Sequence, residues 1–297
     1  MKLIGCFFLL LASSTFAQFT KADSLRGGYG VTRNWWDLTH YDLKVDFDIT
    51  NKSISGSNEL LFDITELREV AIVRTLQIDL QEPMVIDSLF LNGEKIEPKA
   101  IYKQGAAYLI RIDEHDQSQF IDNKLLVFFH GSPRQAVNPP WDGGIIWKKD
   151  KNGNPWVSIA CQGLGASVWF PCKDSQFDEP LGVNMHYTCP ANLVCVSNGK
   201  FEDKVLLPGN KATYSWSVSN PINNYCMIPY IGDYVNIHEH YKGEKGNLEV
   251  DYWVLKGNEE KAKSHFKDVP RTLEALEYWF GPYPFYEDGY KLVEAPH

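Results

Sequence analysis

The stretch YDLKVDFDI, residues 41–49, decides the fold class of this chain. Tyr41, Leu43, Val45, Phe47 and Ile49 alternate with Asp42, Lys44, Asp46 and Asp48. A period of two sends successive side chains to opposite faces of a strand, so one face is apolar and the other charged. Working outward, Asn51-Lys52-Ser53 supplies turn chemistry, and residues 54–64 return as a second strand in which Gly56 is the expected bulge. The same grammar repeats. Residues 75–80 set Leu76, Ile78 and Leu80 on one side, and residues 85–91 run into Asn92-Gly93, a strong hairpin signal. Residues 108–112, 125–129, 156–160 and 193–196 are further apolar runs, and Tyr214, Trp216 and Val218 alternate beyond a second Asn-Gly turn at Asn198-Gly199. Short strands divided by turn residues predict a mainly β chain, a twisted sandwich or saddle.

Towards the C-terminal end the pattern changes. Pro221 and Asn223-Asn224 break the ladder, and the apolar run around Pro229 reads as the last edge of the β-domain. Strand-like runs at 234–240 and 248–255 follow. The first helical period begins at Asn258, a good N-cap with Glu259 and Glu260 behind it. Ala262, Phe266, Val269, Leu273, Leu276 and Phe280 form one apolar stripe, and Pro270 in its middle predicts a kink. Gly281-Pro282 ends the helix, and a new strand begins at Tyr290.

Composition narrows the function classes. The chain has 297 residues, 44% hydrophobic and 13% aromatic, enough core for one or two domains. A formal net charge of -9 argues against a nucleic-acid partner. Lys2, the apolar run 3–12 and the small-residue site Thr15-Phe16-Ala17 read as a cleavable signal peptide, residues 1–17, which makes the mature chain secreted or periplasmic. No later run is long and apolar enough for a membrane span. Beyond the signal lie Cys161, Cys172, Cys189, Cys195 and Cys226. An odd number at irregular spacing is not a disulfide framework; a Cys161–Cys172 bridge and buried free thiols are both open.

The functional reading turns on CQGLGASVWFPCKDSQFDEP, residues 161–180. Pro171 and Pro180 lack backbone donors and bracket a segment that is neither regular helix nor central strand. Gly163 and Gly165 let the backbone approach something closely, so the stretch reads as a loop carrying Gln162 out of the β-framework. Asp174, Asp178 and Glu179 form either a carboxylate pair for glycoside cleavage or, the simpler reading, caps around Pro180 that point at water. No H-E-x-x-H, G-x-S-x-G or G-K-[ST] motif is present. His238-Glu239-His240 places two imidazoles on one face of a strand, a weak metal candidate whose alternative is a solvated edge. From its residues alone the chain offers no catalytic constellation and no metal centre.

Several stretches in order resemble the N-terminal part of the aminopeptidase N family of zinc metallopeptidases, the gluzincin group that includes leukotriene hydrolase. They are YDLKVDFDITNKSISGSNELLFDI, CQGLGASVWFPCKDSQFDEP, NPINNYCMIPYIGDY and WFGPYPFYEDGYKLVEAPH. The resemblance implies a saddle-like β-sandwich domain over residues 18–233. It also implies that residues 234–297 are the truncated start of an α/β thermolysin-like catalytic domain. It implies that Gln162 binds the free α-amino group of a peptide substrate, since an amide oxygen accepts from an ammonium. Zinc would belong to the complete protein. Its H-E-x-x-H helix and distal Glu are not among these residues, so the chain by itself is expected to be inactive and to rely on a C-terminal catalytic domain. Ser175 to Glu179 depart from the family pattern after P-C-x-D and mark a divergent branch. Two rivals stand beside this reading: a carbohydrate- or protein-binding module using Trp141, Trp147 and Trp156, and a scaffold relative without metal ligands.

Overall fold

A computed structural model describes residues 25–65, 74–112 and 121–296. The signal-peptide reading of residues 1–17 falls outside the described residues. β1 (Trp36–Asp48), β2 (Ser53–Ile64), β3 (Arg74–Asp79), β4 (Val85–Leu91), β5 (Glu94–Lys95) and β6 (Ile101–Gln104) come first. β7 (Ala107–Ile112), β8 (Asn123–Gly131), β9 (Gly144–Lys149), β10 (Pro155–Ala160), β11 (Gly182–Pro190) and β12 (Val194–Val196) follow. β13 (Lys200–Leu207), β14 (Lys211–Val218), β15 (Tyr230–Gly232), β16 (Tyr234–Gly243) and β17 (Gly246–Leu255) lead to helices α1 (Glu259–His265) and α2 (Val269–Phe280), then β18 (Tyr290–Val293). The chain is mainly β, as its alternation predicts.

An eight-stranded sheet runs β13-β14-β11-β1-β2-β8-β4-β5. Smaller sheets run β12-β15-β10-β9 and β3-β7-β6, and the inner faces of all three share one core. On β1, Tyr41, Leu43, Val45 and Phe47 are buried while Lys44 on the other face is exposed. β1 pairs antiparallel with β2, Tyr41 opposite Leu60, and parallel with β11, Tyr41 opposite Val183. That parallel pair joins segments more than a hundred residues apart, a pairing no local pattern encodes.

Asn92-Gly93 forms the expected hairpin between β4 and β5, with φ of +51° and +89°. A Cβ at Gly93 would meet nothing within 4 Å, so Gly93→Ala isolates the backbone conformation. It should cost about 1–2 kcal/mol, the strain of an L-residue in the left-handed region. The urea midpoint measures it; an unchanged midpoint would mean that the turn relaxes to another type.

Five expectations need correction. Gly56 is no bulge: it pairs in register with Val45, and the β1–β2 shift lies between Leu38 and His40. A Cβ at Gly56 would sit 2.0 Å from the Lys44 carbonyl oxygen, so the residue is small for want of space. β3 is buried on both sides, because Gln77 and Asp79 face other parts of the chain rather than solvent. Asn198-Gly199 closes no hairpin, since β12 pairs with β15 and β13 with β14; the turn passes the chain between sheets. β15 is no edge either, lying between β12 and β10.

The fifth correction is the helix. It breaks at a 3-10 turn, Phe266–Asp268, and Pro270 sits in the first turn of α2, where its missing N–H costs nothing. Asn258 stands at the start of α1 but makes no side-chain cap; its amide donates to Glu294 at 2.8 Å. Ala262, Val269 and Leu273 are buried, whereas Leu276 and Phe280 are exposed. Val269 and Leu273 pack with Leu248, Val250 and Tyr252 on one face of the β16-β17-β18 sheet. Glu277 is buried beside them. Burial raises its carboxyl, yet donors from Tyr286, Tyr283, Tyr241 and the Glu244 backbone hold it below the ordinary carboxylate range. Asp288 fastens this sheet to the larger body by accepting from the backbone and side chains of Ser219 and Asn220 at 2.7–3.1 Å.

Candidate functional site

Strand β10 delivers the chain to Cys161, whose carbonyl accepts from the amides of Leu164 and Gly165 at 3.1 and 2.9 Å. This tight turn puts Gln162 at its tip, exposed, where its amide takes no hydrogen bond from any described residue. Gln162 stands on the rim of a cavity of about 900 Å³. Ile146, Ile159, Leu164, Phe177 and Val293 supply apolar wall, and Arg26, Tyr225, Tyr230 and Asp174 bring polar groups to it.

Beyond Gly165 the loop turns inward. Ala166–Val168 form one 3-10 turn, and Trp169, Phe170 and Cys172 are fully buried in the shared core. Asp79 and Cys172 bond as an isolated bridge, so the bracketed segment is indeed neither helix nor central strand. Gly165 has φ +81°, and a Cβ there would lie 2.2 Å from Asp174 Oδ2. The close approach expected of both glycines is made by Gly165 alone, to the loop's own carboxylate; a Cβ at Gly163 would meet nothing within 4 Å.

Two of the three acids do not point at water. Asp174 is buried and accepts from Ser167 Oγ at 2.6 Å, while its backbone N–H reaches Asp79 Oδ2 at 3.4 Å. Asp178 is buried in an ion pair with Lys173, whose ammonium also donates to the Trp36 carbonyl at 2.6 Å and lies 4.1 Å over the Trp36 ring. Only Glu179 is exposed, held by the Asn223 amide at 2.8 Å. Two buried carboxylates have cations buried beside them, Arg33 against Asp79 and Lys173 against Asp178. Sequence reasoning missed this network. Its one visible signal was polar Gln77 and Asp79 inside an otherwise apolar run.

Among the described residues the cavity shows no activated nucleophile. Burial pushes the Cys161 thiol up to about 12, and burial likewise raises Cys172 far above its ordinary value. All five described cysteines are free thiols, so Cys161 and Cys172 are not bridged. Ser167 is buried and has no histidine partner; it donates to Asp174 and accepts from the Gln81 amide at 2.9 Å. No His lines the cavity among the described residues. The three tryptophans form no platform: Trp141 is exposed, while Trp147 and Trp156 pack on the core and Trp156 donates to Tyr234 at 2.8 Å. His238, His240 and Glu249 do gather on the β16–β17 hairpin, and none of them lines the Gln162 cavity.

Comparison with known proteins gives a consistent picture. No family model matches the chain. Aminopeptidase 2 of Candida albicans is 19% identical over 261 residues, covering 86% of this chain and 26% of that protein. The M1 zinc metallopeptidase of Deinococcus radiodurans superposes with a TM-score of 0.69 at 16% identity, over 89% of this chain and 57% of that one. Leukotriene A4 hydrolase from Saccharomyces cerevisiae superposes with a TM-score of 0.68 at 17% identity, over 88% and 38%. The chain thus spans about a quarter of the curated relative and a third to a little over half of these structures. A mutant of the Deinococcus enzyme has been solved with a bound Tyr-Ser-Ala substrate. The chain carries the fold of the N-terminal portion of the M1 zinc metallopeptidases.

Proposed function

We propose that this chain is the N-terminal, substrate-side region of an exported zinc-dependent aminopeptidase, a hydrolase that removes N-terminal residues from peptides. One observation carries the reading: an unpaired Gln162 amide on the rim of a cavity of about 900 Å³, within a fold shared with M1 zinc metallopeptidases. In this reading residues 18–233 form the substrate-side β-domain and residues 234–297 open the catalytic domain. Gln162 orients the peptide by accepting from its α-ammonium, and the apolar wall takes the first side chain. Among the described residues no His lines the cavity, and the sequence has no H-E-x-x-H, so the Gln162 site does not hold the donors the family's catalytic zinc would need. We therefore place those ligands in a C-terminal catalytic domain and derive no step through the metal. Export rests on the signal-like residues 1–17. Among the described residues no helix is long and apolar enough to cross a membrane.

The test uses the full-length protein that carries these residues. It should hydrolyse an amino-acyl anilide, lose that turnover on chelation, and spare the Nα-acetylated analogue. Equal rates on the free and acetylated substrates would overturn the reading. The 297 residues alone should show no turnover. The carbohydrate-binding rival has no observation in its favour, since its tryptophans do not share an exposed face.

A further inference from the structure

The β16–β17 hairpin carries a second chemistry that the peptidase reading does not use. Its inner face, with Leu248, Val250 and Tyr252, is buried, which fixes the register of the pair. His240 therefore stands opposite Glu249 and His238 opposite Asp251, and all four point outward on one face. Glu239, between the two histidines, turns to the other face and accepts from Tyr252 at 3.2 Å. One donor atom from each of His238, His240 and Glu249 lies within 4.8 Å of the others. The Glu249 carboxylate reaches both rings, His238 Nε2 at 3.0 Å and His240 Nδ1 at 3.1 Å. Behind this group, Asp251 Oδ1 holds His238 Nδ1 at 2.9 Å and is itself held by the Asn236 amide at 2.9 Å.

We propose that His238, His240 and Glu249 form a binding site for a divalent transition-metal ion, of which zinc is the probe. Two imidazoles and one carboxylate are a donor set that zinc takes with water in the remaining position. The Asp251 carboxylate fixes the His238 ring so that Nε2 faces the ion, the arrangement in which a second carboxylate orients a ligating histidine. The donors lie on two hydrogen-bonded strands of set register, so binding needs only small side-chain adjustments. The site is exposed, and the ion enters directly from solvent. The alternative is an ion-pair cluster in which Glu249 bonds two imidazolium rings and no metal binds.

The full-length protein, stripped with EDTA, is titrated with zinc chloride by calorimetry, alongside His240→Ala, Glu249→Gln and Asp251→Asn. The wild type should bind one zinc more per chain than His240→Ala or Glu249→Gln. Asp251→Asn should keep that zinc with affinity about 10- to 100-fold weaker. Any zinc bound elsewhere is common to all four proteins and cancels, so the result does not depend on the peptidase reading. Near-ultraviolet circular dichroism confirms that each variant folds. Identical zinc stoichiometry and affinity in the wild type and in both His240→Ala and Glu249→Gln would overturn the proposal.

Discussion

Arg33→Met should destabilise the protein by about 3 kcal/mol at pH 8, the low end of the cost of leaving one member of a buried ion pair alone. Arg33 is 1% exposed and Asp79 3%, so solvent screens neither. The guanidinium holds Asp79 Oδ2 and donates to the Gly28 carbonyl at 2.6 Å, while Asp79 Oδ1 accepts from the Gln77 amide at 2.9 Å. Burial pushes Asp79 from its ordinary value up to about 6, against the pull of Arg33, Gln77 and the arginine's hydrogen bond. Without the guanidinium it must rise further. An acid raised on folding binds its proton more tightly in the folded state, so its ionisation removes stability as pH climbs through the folded value. Below about pH 6 Asp79 is protonated in both proteins, and the deficit should be small. Between pH 6 and 8 the wild type carries a paired carboxylate while the variant must bury an unpaired one or keep it protonated, and the deficit should open. Urea unfolding of both proteins at pH 5 and pH 8 measures this. A deficit of equal size at both values would show that Asp79 is not the group left exposed to the loss.

This pair also shows where the sequence was legible. The alternation at Tyr41 to Phe47 gave a strand with the correct buried face because a two-sided environment writes itself as a two-residue period. β3 broke that logic. Leu76 and Ile78 were read correctly, but the opposite face is also buried, and the polar residues there find partners in Arg33 and the 161–180 loop. Partners of that kind depend on which distant segments meet, which periodicity does not record. The parallel pairing of β1 with β11 escaped for the same reason. Pro270 was a local signal of a different sort. It marked a disturbance correctly, but whether a helix kinks or restarts depends on the 3-10 turn that Phe266 makes while packing on Tyr252, with ring centroids 4.6 Å apart. In the candidate site, the loop character of residues 161–180 was readable from its prolines and glycines. The inward course of Asp174 and Asp178 was not, because it depends on how the loop folds back on itself, Ser167 meeting Asp174 and Lys173 meeting Asp178 against Trp36, which no local pattern records.

Gln162→Ala in the full-length protein should lower kcat/KM for free-amine substrates about 10- to 150-fold. That range is the rate equivalent of about 1.5–3 kcal/mol, the contribution of a hydrogen bond to a charged group. The effect should fall mainly on KM, because the α-ammonium is charged before and during the reaction, and an interaction made equally in both states changes binding rather than turnover. Nα-acetylated substrates lack the cation and should show no difference between the two proteins. Gln162→Glu should move the opposite way, since a carboxylate meets an ammonium with charge assistance that an amide lacks. Neither change should alter the melting temperature: Gln162 is exposed and its amide holds nothing else in the chain. That last control separates the substrate role from a structural one, which would lower stability and rates on every substrate together. An unchanged kcat/KM on free-amine substrates in Gln162→Ala would remove Gln162 from the site while leaving the fold and the cavity as they stand.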